Sequence, residues 1–181
     1  MRLLALVMLT FTVLIGPAAA DQTDPRLDAL FEKLRTGPGE RSESLAQEIN
    51  ALWTHSASPT VNLLIERAQA SMDARHFDVA EALLDHAIGL SPHFAQAYAL
   101  RGAVRLSLED QDGAITDFSQ AIELEPRQYE ARIALAEIMM AGGDKRGAYD
   151  MLQKALEWNP HEKHARARAR KLRDEIDGQE I

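Results

Sequence analysis

Three prolines recur at a fixed interval and constrain the fold of this chain more than any other feature. Pro92, Pro126 and Pro160 are spaced 34 residues apart. Alanines and large apolar residues repeat at the same interval, in the sets Ala80, Ala114 and Ala148; Ala87, Ala121 and Ala155; and Leu84, Phe118 and Leu152. A period of this length is typical of stacked helix pairs that bury their apolar faces against their neighbours. The repeat therefore predicts a helical solenoid over residues 61–162.

The local chemistry of the repeat predicts helix ends and close contacts. Proline lacks an amide hydrogen and clashes with the preceding helical turn, so each repeated proline should separate one helix pair from the next. Residues 109–113 and 142–144 are rich in glycine and aspartate and should form the turns inside two of the pairs. The alanines should lie where helices approach closely, and the large apolar residues should fill the space between pairs.

Residues 95–128 resemble a tetratricopeptide repeat. Tyr98 stands in the aromatic slot of that repeat and Gly102 in its small-residue slot. The other two units depart from the pattern at Leu64, Ala68 and Ser71, and at Arg132, Ala136 and Met139. The resemblance implies an all-α, right-handed superhelix of three helix pairs, at 61–94, 95–128 and 129–162. It also implies that other proteins bind in the concave face, which the first helix of each pair lines.

The resemblance also assigns residues to this concave groove. The inward-pointing residues should be Asn62, Ile65, Gln69 and Met72, then Gln96, Ala99, Ala103 and Leu106, then Glu130, Ile133, Glu137 and Met140. This face is apolar and mildly acidic, and these slots contain no lysine or arginine. The basic clamp with which chaperone-binding relatives hold a C-terminal carboxylate is therefore not expected here.

Two arginines occupy slots where the tetratricopeptide pattern has leucine, and they allow two interpretations. Arg101 could pair with Asp117 on the second helix of its unit, which is a structural role. Alternatively, Arg67 and Arg101 could reach the groove and hold an acidic peptide.

Residues 21–60 predict a helical pair outside the repeat. Asp24 and Pro25 form a typical helix start, and apolar residues follow at helical spacing. A second helix is expected over about 40–55. Because this pair lacks the repeated alanines, we interpret it as an atypical terminal unit that covers the first repeat. Residues 24–31 and the Ser-Pro pair before the first repeat are similar to those of small exported tetratricopeptide proteins of alphaproteobacteria.

A capping helix should close the other end of the solenoid, in the segment 163–181. Its inner stripe would be Ala165, Ala169, Leu172 and Ile176, and its outer face would carry Lys163, Arg166, Arg168, Arg170, Lys171 and Arg173. A polar outer face is expected of a terminal capping unit. The alternative is that these basic residues dock an acidic partner or a phosphate group.

Residues 1–20 have the pattern of a secretory signal peptide. Arg2 precedes an apolar run, and Ala18, Ala19 and Ala20 form a small-residue cleavage site. The mature chain should then begin at Asp21 and be soluble in the bacterial periplasm. The alternative, a retained membrane anchor, is disfavoured because spanning a bilayer takes roughly 20 apolar residues and this run is shorter.

Composition and motifs exclude several classes of function. The chain has no cysteine, which excludes disulfides and thiolate metal sites, and its net charge of −8 makes nucleic acid a poor partner. There is no glycine-rich phosphate loop, and His161 and His164 lack the spacing of a helical zinc motif. We therefore expect no catalysis, no cofactor and no metal site.

The function predicted from the sequence is that of an exported adaptor. It would bind a peptide or helix of a partner protein in its groove, and it would bind neither nucleic acid nor, once the signal is removed, a membrane. The alternative is a structural or assembly subunit of a cell-envelope complex that uses its convex face and caps.

Overall fold

The computed structural model describes residues 22–178, which form nine α-helices and one short 3-10 turn. The helices are α1 (Arg26–Thr36), α2 (Ser42–Trp53), α3 (Pro59–Asp73), α4 (Phe77–Leu90), α5 (Ala95–Ser107), α6 (Gln111–Leu124), α7 (Tyr129–Ala141), α8 (Lys145–Trp158) and α9 (Lys163–Asp177), with the 3-10 turn Gly39–Arg41 before α2. Over this range the structure contains no strand. The predicted signal segment, 1–20, lies outside the described residues.

Helices α3 to α8 form three pairs, and α9 follows them as a single last helix. Each repeated proline lies in the short loop before α5, α7 or α9. The second helix of one pair packs against the first helix of the next, so that α4 contacts α5, α6 contacts α7, and α8 contacts α9. The fold predicted from the period, an α-solenoid of three helix pairs with additional helices at each end, is confirmed.

The repeated small and large residues form the contacts between helices. All six repeated alanines and the set Leu84, Phe118 and Leu152 are buried. Gly102 shows how close the approach is, because a Cβ atom placed on it would lie 2.9 Å from the ring of Phe118. Ala68 and Ala136 occupy the equivalent slots, and each shares a core with a leucine instead of a phenylalanine.

The turn inside each pair repeats at the level of backbone conformation. Arg75, Glu109 and Gly143 have φ angles of 61°, 64° and 83°, and these positions are again 34 residues apart. This left-handed conformation reverses the chain so that the two helices of a pair run antiparallel. Only Gly143 has the residue type that adopts it without strain.

Helix α1 begins with an aspartate–proline–arginine turn. The Asp24 carboxylate accepts hydrogen bonds from the amide of Arg26 (2.8 Å) and from its guanidinium (2.7 Å). The Arg26 guanidinium holds the pKa of the Asp24 carboxyl below its usual value, mainly through this side-chain hydrogen bond. The prediction that Asp24 is the N-cap and Pro25 the first helical residue is wrong by one residue, because Pro25 is the N-cap and the helix starts at Arg26, whose amide donates to the Asp24 carboxylate. Glu125 and Arg127 form the same arrangement before α7.

The α1–α2 hairpin, residues 26–53, packs against the third helix pair and not against the first. Its core joins Phe31 and Trp53 with Tyr129 of α7 and Ala155 of α8, and Trp158 packs against it. The prediction that this pair covers the first repeat is therefore wrong. The physical reason is the size of the hairpin's apolar face. Phe31 and Trp53 need a large apolar surface to be buried against, and the aromatic rings of Tyr129 and Trp158 provide it.

The inner stripe of α9 is confirmed for three residues. Ala165, Ala169 and Leu172 are buried in one core with Leu152 of α8, and Ile176 is half-buried. Within residues 22–178, no helix is both long enough and apolar enough to cross a membrane.

Candidate partner-binding groove

The residues predicted for the concave groove fall into four rows, because equivalent positions on α3, α5 and α7 are 34 residues apart. The rows are Asn62, Gln96 and Glu130; Ile65, Ala99 and Ile133; Gln69, Ala103 and Glu137; and Met72, Leu106 and Met140. Helix α9 starts in the same register and continues the rows with His164, Ala167, Lys171 and Asp174. The rows differ in how much of them remains available to a ligand.

The first row is contacted by the chain's own second helix and by the linker after it. Asn62 exchanges two hydrogen bonds with the backbone of Ser56, at 2.7 Å and 3.0 Å. The side-chain amide of Asn50 donates to Oε1 of Glu130 at 2.8 Å. Gln96 is buried and accepts a hydrogen bond from Gln128 at 2.9 Å. These side chains are therefore already engaged within the chain.

Glu130 lies at the edge of a cavity that the hairpin forms with α7 and α9. The cavity has a volume of about 660 Å³ and is lined on the solenoid side by Tyr129, Glu130, Ile133, Asn159, His161, Glu162, Lys163 and His164. Glu130 is exposed as a whole residue, but desolvation of its carboxyl is the main cause of a raised pKa. Asn50 and Tyr129 act in the opposite direction through their hydrogen bonds to the carboxylate.

The second row contributes mostly to the core. Ile65 is only 2% exposed and belongs to the core of the first pair. Ala99 packs against the core between the second and third pairs. Ile133 packs against both the hairpin core and the last core of the solenoid. The prediction that Ile65 offers apolar contact to a ligand is therefore wrong, because its side chain is used inside the first helix pair.

The third and fourth rows are the more accessible part of the groove. Leu106 is 36% exposed, and Met72 and Met140 are half-buried. Glu137 is paired with α9, since its Oε1 atom lies 3.3 Å from Nε of Arg168. Arg168 was predicted to lie on the outer face of α9, and this contact to α7 corrects that assignment. The negative charge expected from Glu137 is accordingly offset.

Arg101 has the structural role that the sequence suggested. Its guanidinium forms two hydrogen bonds to Asp117, at 2.8 Å and 2.6 Å, and a third to Asp85 on α4. Arg105 joins the same network through Asp117 and Glu81. Arg67, the equivalent of Arg101 on α3, is exposed. The alternative that Arg101 points into the groove is excluded by these contacts.

Two functional elements were not found from the sequence: the docking of the hairpin and the contribution of α9 to the groove. The signal for the first was present in the aromatic residues, because both tryptophans of the chain, Trp53 and Trp158, lie within about 6 Å of Phe31. The signal for the second was the register of α9, which places His164 in the slot of Glu130. Among residues 22–178, no cluster of three or more potential metal-ligating side chains occurs.

The sequence is similar to repeat proteins of known family. Residues 105–171 match the family model described as a tetratricopeptide repeat. A TPR repeat-containing protein of Rhizobium etli is 26% identical over 161 residues, which cover 88% of this chain and 79% of that protein. RNA polymerase II-associated protein 3 of Xenopus tropicalis is 40% identical over 72 residues, which cover 40% of this chain but 11% of that protein.

Solved structures share the fold at low sequence identity. The first TPR of Spaghetti, bound to an HSP90 peptide, superposes with a TM-score of 0.62 at 18% identity, covering 66% of this chain and 95% of that one. The Yersinia enterocolitica type III secretion chaperone SycD, in complex with a peptide of the translocator YopD, gives 0.62 at 19% identity, covering 69% and 98%. MamA gives 0.58 at 20% identity, covering 82% of each chain. The family match over residues 105–171, the 34-residue period and the stacked helix pairs together show that the chain contains tetratricopeptide repeats.

Proposed function

We propose that this chain is an adaptor that holds a peptide or helix of a partner protein in the concave groove. The observation that carries the proposal is the fourth row, in which Met72, Leu106 and Met140 present apolar surface across three successive helix pairs. Methionine side chains adapt their shape to different ligands. Two structural neighbours, the Spaghetti domain and SycD, were solved with peptides bound, which supports the same mode of action here.

The hairpin limits where such a ligand would lie. Because α2 and the linker after it engage Asn62 and Glu130, the ligand would contact the third and fourth rows, towards the C-terminal ends of the first helices. Apolar anchors would therefore contribute most of the affinity, and flanking lysine or arginine would complement the acidic chain. The HSP90 peptide bound to the Spaghetti domain, SRMEEVD, is acidic, and the predicted slots of α3, α5 and α7 contain no lysine or arginine to hold such a peptide.

A pair of equally exposed leucine and isoleucine residues tests the groove. Leu106 lies in the groove on α5, and Ile115 lies on the second helix α6; they are 36% and 37% exposed. The full chain would be used to capture its partner from the envelope fraction of its host, and the purified pair would then be titrated. Leu106→Asp should weaken the complex by at least about tenfold, and Ile115→Asp should leave it within about twofold.

The reverse result would contradict the groove proposal. Loss of binding on Ile115→Asp, with Leu106→Asp silent, would favour the alternative of an envelope subunit that assembles through its convex face. Both variants change an exposed residue, so both should keep the helical content of the parent chain, which circular dichroism verifies.

We also propose that the adaptor is exported. The support is the pattern of residues 1–20, in which a short apolar run is followed by Ala18, Ala19 and Ala20. Removal of this segment deletes Arg2 and changes the net charge from −8 to −9. Intact-mass measurement on protein recovered from the host should give a chain that begins at Asp21. Recovery of a chain that retains Met1 would contradict export by cleavage.

A further inference from the structure

The first helix of each pair has a face that is buried by the second helix of the preceding pair. On α5, α7 and α9 the residues of this face are Ala97, Ala131 and Ala165; Arg101, Leu135 and Ala169; and Val104, Ile138 and Leu172. The alanines of the first set are at most 1% exposed, and the third set is at most 8% exposed. They share cores with α4, α6 and α8, respectively. This face is thus the stacking surface of the solenoid.

Helix α3 has the same face, but within residues 22–178 no second helix of a repeat pair precedes it. The equivalent residues are Leu63, Arg67 and Ala70, and all three are exposed, Leu63 by 46%. The α1–α2 hairpin, which could have covered them, has its core against α7 and α8 instead. A cavity of about 460 Å³ borders this face at Leu63, and its lining continues to the groove positions Asn62, Ile65 and Gln69 and to Thr54 and His55 after α2.

The covered copies of this face indicate what would fit on α3. Arg101 reaches across to Asp85 of the covering helix, with Nη1 and Oδ1 2.7 Å apart, and Arg105 reaches Glu81 at 2.8 Å. Arg67 stands in the slot of Arg101, so a helix that covers α3 should present a carboxylate to it. Without that partner, burial of the guanidinium would be costly.

The sizes of the other two residues specify the covering helix further. Leu63 is large where the stacked copies have alanine, and Ala70 is small where they have valine, isoleucine or leucine. A complementary helix therefore needs a small residue opposite Leu63 and a bulky apolar residue opposite Ala70. The two arginine–carboxylate pairs show that the covering helix runs antiparallel.

We propose that the exposed face of α3 is a second docking surface, separate from the groove, for an antiparallel helix of a partner protein. That helix has a central aspartate or glutamate, a bulky apolar residue on one side of it and a glycine or alanine on the other. It would extend the solenoid by taking the place of a missing second helix. The proposal does not depend on the groove being used.

The chain itself supplies a probe for this surface. Helix α4 covers α5 in the proposed manner, so a synthetic peptide of residues 76–91 carries the required aspartate, Asp85. The labelled peptide, stapled on its solvent face to maintain the helix, would be titrated with the full chain and followed by fluorescence anisotropy.

Saturable binding is expected, with a clear pattern among variants of the full chain. Leu63→Glu and Arg67→Glu should each weaken binding by about tenfold or more, whereas Leu106→Glu in the groove should change it by less than about twofold. The peptide with Asp85→Lys should bind Arg67→Glu better than it binds the parent chain, since this swap restores an opposite-charge pair.

Three outcomes would overturn the proposal. One is the absence of saturable binding to the parent chain, and another is loss of binding on Leu106→Glu in place of Leu63→Glu. The third is self-association: a dimer in sedimentation velocity that Leu63→Glu converts to a monomer would show that a second copy of the chain covers this face.

Discussion

The Nη2 atom of Arg101 lies 2.6 Å from Oδ1 of Asp117, and a second hydrogen bond from Nε makes the pair bidentate. The Asp117 side chain is 2% exposed and that of Arg101 is 15% exposed. The hydrogen bond to Asp117 is the main cause that raises the pKa of Arg101. Because Arg101 also contacts Asp85, this network joins α4, α5 and α6 and fixes the second pair on the first.

Removal of the aspartate should be costly. Asp117→Ala leaves the guanidinium groups of Arg101 and Arg105 partly buried without their shared carboxylate, so we expect the free energy of unfolding to fall by about 3–5 kcal/mol. Urea unfolding measures the change. Glu123→Ala, at an exposed position of the same helix, should stay within about 0.5 kcal/mol. Equal losses for the two variants would show that the pair does not stabilise the fold.

Two glycines on neighbouring helices should respond to alanine in opposite directions. At Gly102 an added Cβ would lie 2.9 Å from the Phe118 ring, so Gly102→Ala should destabilise by about 1–3 kcal/mol. At Gly89 no heavy atom lies within 4 Å of an added Cβ. Gly89→Ala should therefore stabilise α4 by about 0.5–1 kcal/mol through helix propensity. Thermal unfolding of both variants at one pH checks the signs.

The Gly102 prediction has an internal control. Where the small-residue slot holds alanine, at Ala68 and Ala136, the residue in the place of Phe118 is leucine. Phe118→Leu should therefore recover most of the loss caused by Gly102→Ala. If the double variant is as unstable as the sum of its single changes, the close contact is not the cause.

The turns inside the pairs offer a third test. Glu109 has a φ of 64° where the third pair has Gly143 at 83°, and the left-handed conformation costs a non-glycine residue about 1–2 kcal/mol. Glycine removes this conformational cost but loses more backbone entropy on folding, so Glu109→Gly should raise the free energy of unfolding by about 0.5–1 kcal/mol. Gly143→Ala should destabilise by about 1 kcal/mol. Chemical unfolding measures the change in the free energy of unfolding for both variants. Two changes of the same sign would contradict this explanation.

Much of the solenoid could be predicted from the sequence, because its contacts repeat. The 34-residue period identifies the helix pairs, the buried alanines and the core set of Leu84, Phe118 and Leu152. It also places Arg101 and Asp117 on adjacent helices, which made their ion pair one of two interpretations, and the contacts of Arg101 decide for it. These contacts join neighbouring elements, and a periodic pattern specifies such contacts directly.

The parts that could not be predicted are contacts that break the period. The α1–α2 hairpin has no repeated residues, so its periodicity shows that it has an apolar stripe but not which surface it covers. The groove was affected in the same way: Asn50 on α2 binds Glu130, and Arg168 on α9 pairs with Glu137. Both partners lie outside the three units from which the groove was predicted.

A further prediction concerns the dependence of folding stability on pH, through the carboxyl of Glu130. Desolvation raises its pKa above the ordinary value of a glutamate, about 4.3. The folded chain therefore binds this proton more tightly than the unfolded chain does, and the corresponding stability is present at low pH and lost as pH rises through the folded pKa. Glu130→Gln should gain stability relative to the parent chain between pH 4 and pH 7, as measured by urea unfolding. A difference that is constant over this range would contradict the shift.

The last prediction concerns the aromatic cluster around Phe31. The Phe31 ring lies 5.5 Å from that of Trp53, 5.7 Å from Trp158 and 6.5 Å from Tyr129, and Phe31 is 2% exposed. Phe31→Ala removes the central ring, so we expect a loss of about 3–5 kcal/mol in the stability of the hairpin. Hydrogen exchange of the full chain should show the loss in α1 and α2, while α3 to α6, which have their own cores, keep their protection.

A matched change at the edge of the cluster separates packing from charge. Arg35 lies over the Trp158 ring at 5.7 Å and is exposed, so Arg35→Ala should cost no more than about 1 kcal/mol.

The hairpin also engages the first row of the groove through Asn50. If a partner binds only the third and fourth rows, Phe31→Ala should leave its affinity within about twofold. A gain of tenfold or more would mean that the partner competes with the hairpin for Glu130, and that the ligand lies deeper in the groove than we propose.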